Sequence, residues 1–212
     1  MSIEFVREHT EIRPVPFVPE IRLHLAEEAV PLWELMERVT GEVGMAPPFW
    51  AFAWAGGQAL ARFVLDHPGL ITGRRVLDLA AGSGLVAIAA KRAGAALVLA
   101  NEIDGYADAA IEANAELNGV DVQRIQGDLL VADPPDVDVV LAGDVFYNRE
   151  MTQMMLGFLR KAYASGALVL VGDPGRAYRP AEGFEEVAAF RVPVDRDLED
   201  AEQKMVTVLK MV

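Results

Sequence analysis

VLDLAAGSGLVAIAA, running from Val76 to Ala90, reads as a buried strand that carries a carboxylate, turns through glycines and becomes a helix. Val76, Leu77 and Leu79 make a strand-length apolar run, and Leu85 to Lys91 has helical spacing. Gly82 and Gly84 lack the β-carbon that blocks tight turning or the close approach of a bound molecule. A strand feeding a helix in this way presents backbone N–H groups and a helix N-terminus to a ligand, and open α/β sheets collect ligands at that edge. The segment therefore predicts a nucleotide-like ligand, against the plainer reading of a structural glycine turn that binds nothing.

Outward from it the same rhythm repeats. A helix is expected over Ala55 to Asp66, and strand patterns recur at Val76–Leu79, Leu97–Asn101, Val122–Gln126, Val137–Ala142 and Ala167–Gly172, separated most clearly by helices over Gly105–Asn118 and Arg149–Ala164. After Pro180 two β-rich segments follow, Phe184–Val192 and Lys204–Met211. This alternation predicts an α/β chain: a Rossmann-like, doubly wound, seven-stranded sheet, mostly parallel, with helices on both faces and a C-terminal antiparallel hairpin. Upstream, Pro14, Pro16 and Pro19 suggest extended chain, and Leu25 to Val39 has helical spacing that Pro31 leaves uncertain in its first half. Residues 1–54 are accordingly expected to form an extension and helix covering the site, and residues 55–212 the ligand-binding domain.

Composition removes several function classes. With 32 acidic against 19 basic residues and a formal charge of −13, the surface does not suit the phosphates of nucleic acid and would draw in a basic partner. Without cysteine there are no disulfides, thiol nucleophiles or cysteine-ligated zinc, and His9, His24 and His67 have no metal-binding spacing, so no metal is expected. Lys91 and Arg92 interrupt the longest apolar run, and the N-terminus has no secretory pattern, so the expected location is cytoplasmic with no membrane span.

The glycines alone do not choose a ligand, because Gly82-x-Gly84-x-x-Ala87 also satisfies a dinucleotide fingerprint. Asp78 separates the readings. A carboxylate at the end of the first strand repels a pyrophosphate and suits a ligand bearing an amine or sulfonium, which favours S-adenosylmethionine over NAD. At the end of the second strand Glu102 could accept hydrogen bonds from a ribose diol, or merely cap the next helix as Asp104 could. After the third, Asp128 could meet an adenine amino group with Leu129 beside the ring, although Gly-Asp is also an ordinary turn.

Asp78, Glu102 and Asp128 in this order resemble the seven-strand class of S-adenosylmethionine-dependent methyltransferases from about Pro47 to Pro180. The resemblance implies that cofactor and adds Ala80 and Ile103 to its binding set. At the fourth strand, Asp144-x-x-Tyr147 is similar to the Asp/Glu-x-x-Phe/Tyr signature of the protein-lysine methyltransferases grouped as family sixteen; the local alternative is an Asp cap and a core Tyr. Pro47-Pro48-Phe49-Trp50-Ala51-Phe52-Ala53-Trp54, Gly143 to Tyr147 and Gly172-Asp173-Pro174-Gly175-Arg176 together resemble the electron-transfer-flavoprotein β-subunit lysine methyltransferases, with Ala55 where relatives commonly carry proline. That branch implies a protein-lysine N-methyltransferase with Asp144 and Tyr147 catalytic, Asp144 also in contact with the cofactor, and the flavoprotein β subunit as partner. Trp50 and Trp54 are candidate cofactor contacts or simple packing residues, Gly56-Gly57 suggests a bend beside them, and Asp173 and Arg176 could shape the substrate entrance or form only a turn. Alternatives are methylation of a ribosomal protein or of a small nicotinamide-like amine, and a nucleotide-binding regulatory subunit without catalysis.

Overall fold

A computed structural model describes residues 2–199 and 201–212. The chain opens with a short helix, α1 (Ile3–Glu8), then a hairpin of β1 (Glu11–Val15) and β2 (Val18–Leu25), followed by α2 (Ala29–Thr40). Next come α3 (Ala55–Asp66), β3 (Arg75–Leu79), α4 (Leu85–Arg92), β4 (Leu97–Glu102), α5 (Gly105–Leu117) and β5 (Gln123–Gln126). The remainder is β6 (Val139–Gly143), α6 (Arg149–Ala164), β7 (Leu168–Asp173), β8 (Phe184–Pro193) and β9 (Gln203–Met211).

Seven strands form one sheet in the order β5-β4-β3-β6-β7-β9-β8. Strands β5 to β7 are parallel, and β9 pairs antiparallel with both β7 and β8. The expected doubly wound sheet with a C-terminal antiparallel hairpin is therefore present. The chain winds outward from β3 to β5 and returns to β6 on the other side of β3, so the winding reverses between β3 and β6, where crevices open in such sheets.

Period-two alternation divides the central strands between two apolar layers. Val76, Val139 and Leu141 pack with α3, α4 and the N-terminal hairpin, whereas Leu77, Leu79, Val140 and Ala142 pack with Met155, Phe158 and Leu159 of α6. Asp78 lies on the first of these faces, so a carboxylate is carried into an apolar layer.

The N-terminal expectation needs correction. Residues 11–25 are not a single extended run but a hairpin, with Pro14 in β1 and the turn at Pro16-Phe17, and Leu25 ends β2 rather than starting a helix. Helix α2 starts at Ala29, which puts Pro31 in its first turn, where a missing N–H costs no helical bond. Val15, Val18, Ile21 and Leu23 of the hairpin join the layer formed by α3 and α4, and α1 packs on α5 through Phe5 and Tyr106, ring centroids 5.0 Å apart. Among the described residues, no helix is long and apolar enough to cross a membrane.

Candidate active site

The turn after β3 is built on backbone that few side chains tolerate. Ala80 has φ 55°, Gly82 φ 53° and Gly84 φ 78°, and the last serves as the N-cap of α4. A β-carbon on Gly84 would also press on Ile111 of α5 at 3.3 Å. The Oδ2 of Asp78 accepts from the N–H of Ala87 at 2.8 Å, so the strand carboxylate satisfies a free donor in the first turn of α4. Only 1 % of Asp78 is exposed, and burial, opposed by that hydrogen bond and assisted by the negative Glu102, pushes its pKa up to about 8.

Glu102, at the tip of β4, receives the N–H of Gly82 on Oε2 and that of Ile103 on Oε1, each at 2.9 Å. Burial raises its pKa too. Each carboxylate oxygen can accept more than one bond, so these contacts leave acceptor capacity toward a ligand. Asn101 ties this edge together by donating to the carbonyls of Ile125 and Gly127 at 2.8 and 2.9 Å. Asp128 caps the short turn Leu129–Val131 through the N–H of Leu130 at 2.9 Å, and Asp104 caps α5 through that of Tyr106 at 2.8 Å.

At the tip of β6, Asp144 has φ 58°, and Ala80 and Asp144 are the two non-glycine residues with positive φ among those described. Its Oδ2 accepts from the N–H groups of Gly56 and Gly57 at 2.5 and 3.2 Å, capping α3, whose own N-cap residue Trp54 provides no side-chain bond. Its Oδ1 takes the guanidinium of Arg176, with Nη2 at 2.6 Å and Nε at 3.2 Å. Gly56-Gly57 is thus the first turn of a helix, not a bend. It lies so close to the strand tips that a methyl on Gly56 would overlap the carbonyl oxygen of Gly172, and one on Gly143 would sit 2.9 Å from the Cα of Gly57. Asp173 is buried and forms the turn that follows β7, with its Oδ1 accepting from the N–H groups of Gly175 at 2.8 Å and Arg176 at 3.2 Å.

These pieces surround a cavity of about 460 Å³ at the carboxyl ends of β3, β4 and β6. Of the residues singled out from the sequence, Trp50, Trp54, Ala80, Gly82, Glu102, Ile103, Asp128, Asp144, Tyr147 and Arg176 line it. Asp78 lines a smaller recess that shares Trp54, Ala80, Gly82 and Asp144 with the cavity. Gly84 and Leu129 line neither; Leu130 faces the cavity instead of Leu129. Among the walls that sequence reasoning did not single out are Phe49 and, on α6, Met151, Met154 and Met155. The methionines recur at helical spacing beside the Asp144-x-x-Tyr147 motif, but that pattern equally describes a core face. Phe49 and Tyr147 stay about half exposed and flank the opening with Trp54, their ring centroids lying 5.8 Å (Phe49–Trp54) and 6.1 Å (Phe49–Tyr147) apart.

The chemistry of the cavity matches a cationic adenosyl ligand. The carboxyls of Glu102, Asp104 and Asp128 line its β4–β5 side, with Asp78 in the adjoining recess, an acceptor set that suits a ligand carrying ammonium and sulfonium charges better than a pyrophosphate. The Nε1 of Trp50, in the wall, is buried without a partner in the protein.

Comparison with known proteins gives the same direction. A lysine methyltransferase of the electron transfer flavoprotein beta subunit from Xenopus laevis is 41% identical over 82% of this chain and 70% of its own length, and that from Rattus norvegicus is 38% identical over 81% and 68%. The chain belongs to this family of lysine methyltransferases. It is an S-adenosylmethionine-dependent enzyme with the Rossmann-like methyltransferase fold. A family model described as ribosomal protein L11 methyltransferase (PrmA) matches the shorter stretch 60–159. Among solved structures, the magnesium protoporphyrin IX methyltransferase of Synechocystis, which holds bound SAM, superposes with a TM-score of 0.56 over 87% of this chain and 93% of its own at 19% identity, a likeness of fold. The methyltransferase thus carries its acid-lined cavity where the winding of its sheet reverses, with an aromatic opening on the side of α6.

Proposed function

We propose that the protein transfers methyl groups from S-adenosylmethionine to lysine side chains of the electron transfer flavoprotein β subunit in the cytoplasm. The observation that carries this reading is the pairing, in one cavity, of an acidic nucleoside end with an aromatic opening formed by Phe49, Trp54 and Tyr147. When bound, the cofactor supplies an electrophilic methyl on a sulfonium.

Glu102 holds the ribose diol, Asp128 and Leu130 frame the adenine, and Asp78 with the turn at Ala80 and Gly82 takes the methionine end. Residues 1–54 act as the cover, through Pro47, Phe49 and Trp50. Phe49, Trp54 and Tyr147 share the cavity lining with Asp144, and aromatic walls there would pack on the methylene stem of a lysine and exclude water from its tip. A lysine of ordinary pKa, about 10.4, spends roughly 4.6 kcal/mol to lose its proton at pH 7, so the site must present the amine neutral and aligned for in-line attack. Asp144 serves this end by holding the tip of β6 against α3. Capture of an ammonium by its carboxylate is not part of this reading, since the guanidinium of Arg176 already offsets its charge.

The test offers the β subunit, ribosomal protein L11 and nicotinamide separately to the enzyme with methyl-labelled cofactor, and locates the label by mass spectrometry. Label on lysine of the β subunit is expected. Label on L11 or nicotinamide alone overturns the substrate assignment.

A further inference from the structure

Arg176 stands in the cavity wall with its guanidinium on Asp144 and 6.0 Å above the indole of Trp54. The pair is largely sheltered, with 22% of the arginine side chain and 11% of the aspartate exposed. Its placement is over-determined: Asp173 fixes the backbone of residue 176, the tip of β6 fixes Asp144, and the first turn of α3 binds the second carboxylate oxygen. Asp144, in the cavity wall, is therefore half of an ion pair.

We infer that Arg176 is a positioning residue that neutralises Asp144, so that a substrate lysine, having given its proton to solvent, settles beside it as the free amine and not as the ammonium, its lone pair then forming the N–C bond as the methyl's bond to the sulfonium breaks. The inference rests on the lysine reading above. A bare carboxylate a few ångströms from the amine would stabilise the protonated form, which cannot attack a methyl group. A carboxylate already holding a guanidinium and two helix N–H groups offers an ammonium little, while its position still shapes the wall. Among the described residues, the other ionisable groups around the cavity are Glu102, Asp104, Asp128 and Tyr147, with Asp78 in the adjoining recess, and Asp173 behind the arginine under the charge of Arg179; the lining side chains from α6 are uncharged methionines.

The experiment measures kcat between pH 6.5 and 9.5, with the protein substrate and cofactor saturating, for wild type, Arg176→Met, Arg176→Lys and the double variant Arg176→Met with Asp144→Asn. Opposite charges at this range shift a pKa by about one to three units. In Arg176→Met the rising limb of kcat should therefore move up by at least about one pH unit, a tenfold or larger loss at pH 7 that narrows toward pH 9.5. KM for the protein substrate should not rise, and affinity for S-adenosylhomocysteine should stay within about twofold. Arg176→Lys keeps the charge and should return the limb toward its wild-type position. The double variant removes the unmasked carboxylate and should do likewise. A loss that is equal at every pH, or a tenfold loss of S-adenosylhomocysteine affinity, overturns the inference in favour of packing or cofactor anchoring. An active wild type whose Arg176→Met variant keeps the same profile overturns it alone, whereas a wild type that methylates no lysine overturns the functional reading and this inference together.

Discussion

Asp78→Asn should make the protein more stable and less able to bind its cofactor, and the size of the gain follows from one buried carboxylate. Asp78 is 1 % exposed, and its pKa stands at about 8 in place of the ordinary 3.8. A carboxyl raised in the folded state contributes stability that is intact below pH 3.8, is lost progressively as the unfolded chain ionises, and is fully lost once pH passes about 8. At pH 7 the unfolded chain has gained about three pH units of ionisation that the folded chain has not, worth about 4 kcal/mol at 1.36 per unit. Asparagine keeps an acceptor for the N–H of Ala87 and does not titrate. The variant should therefore unfold at higher urea than wild type at pH 7, by up to about 4 kcal/mol.

The discriminating quantity is the difference between the two proteins, measured by urea denaturation at pH 5, 6 and 7. It should widen by about 1.4 kcal/mol per pH unit. A difference that does not change with pH would mean that Asp78 is already ionised in the folded protein, and the burial argument would fail. The same argument has a calorimetric face. A cationic ligand favours the carboxylate, so cofactor binding below pH 8 should release a proton from Asp78, visible as a binding enthalpy that varies with the ionisation heat of the buffer in wild type and less so in Asp78→Asn.

The remaining predictions concern backbone contact and ligand charge. Gly172→Ala should cost several kcal/mol and most of the activity, because its methyl would overlap the carbonyl oxygen of Gly56, backbone against backbone. Gly157→Ala, on the exposed side of α6 with nothing within 4 Å, should instead raise stability by about 0.5–1 kcal/mol; thermal unfolding of the pair checks both signs. Glu102→Gln should weaken S-adenosylhomocysteine binding by about ten- to a hundredfold, the worth of one charged hydrogen bond. Titration calorimetry reads it, and unchanged affinity would remove Glu102 from the nucleoside site.

What could be read from the chain and what could not divides by distance along it. The helices Ala55–Asp66 and Arg149–Ala164 start and stop where their apolar spacing does, and each sheet strand lies within about two residues of its pattern, because period and punctuation are local properties. The hairpin at residues 11–25 was hidden because its three prolines favour extended chain in isolation, and only packing on α3 and α4 pairs the two halves. Asn114 was equally silent. It is a polar residue on the buried face of α5, and its meaning emerges only when its Oδ1 accepts from the N–H of His24 at 2.7 Å while its Nδ2 donates to the carbonyl of Ser83 at 2.8 Å, joining the N-terminal hairpin to the glycine turn.

Asp144 shows why motif reading stops where it does. The spacing Asp144-x-x-Tyr147 marks a strand tip in the cavity wall, but the carboxylate's partners are 88, 87 and 32 residues away. They meet because Gly143 of β6 stands in register with Gly172 of β7, and because neither residue has a side chain to hold off the first turn of α3. Three glycines from distant segments thus create a contact that any β-carbon among them would break, and the contact determines what the acid can do. With helix N–H groups on one oxygen and a guanidinium on the other, its charge is spent on architecture. The carboxylates free to answer a cation are those on the opposite side, Asp78 and Glu102, both held by backbone N–H donors and both raised in pKa by burial. The cavity is therefore polarised: its carboxyls without a cationic partner lie on the β4–β5 side, and the carboxylate at the tip of β6 is offset by a guanidinium.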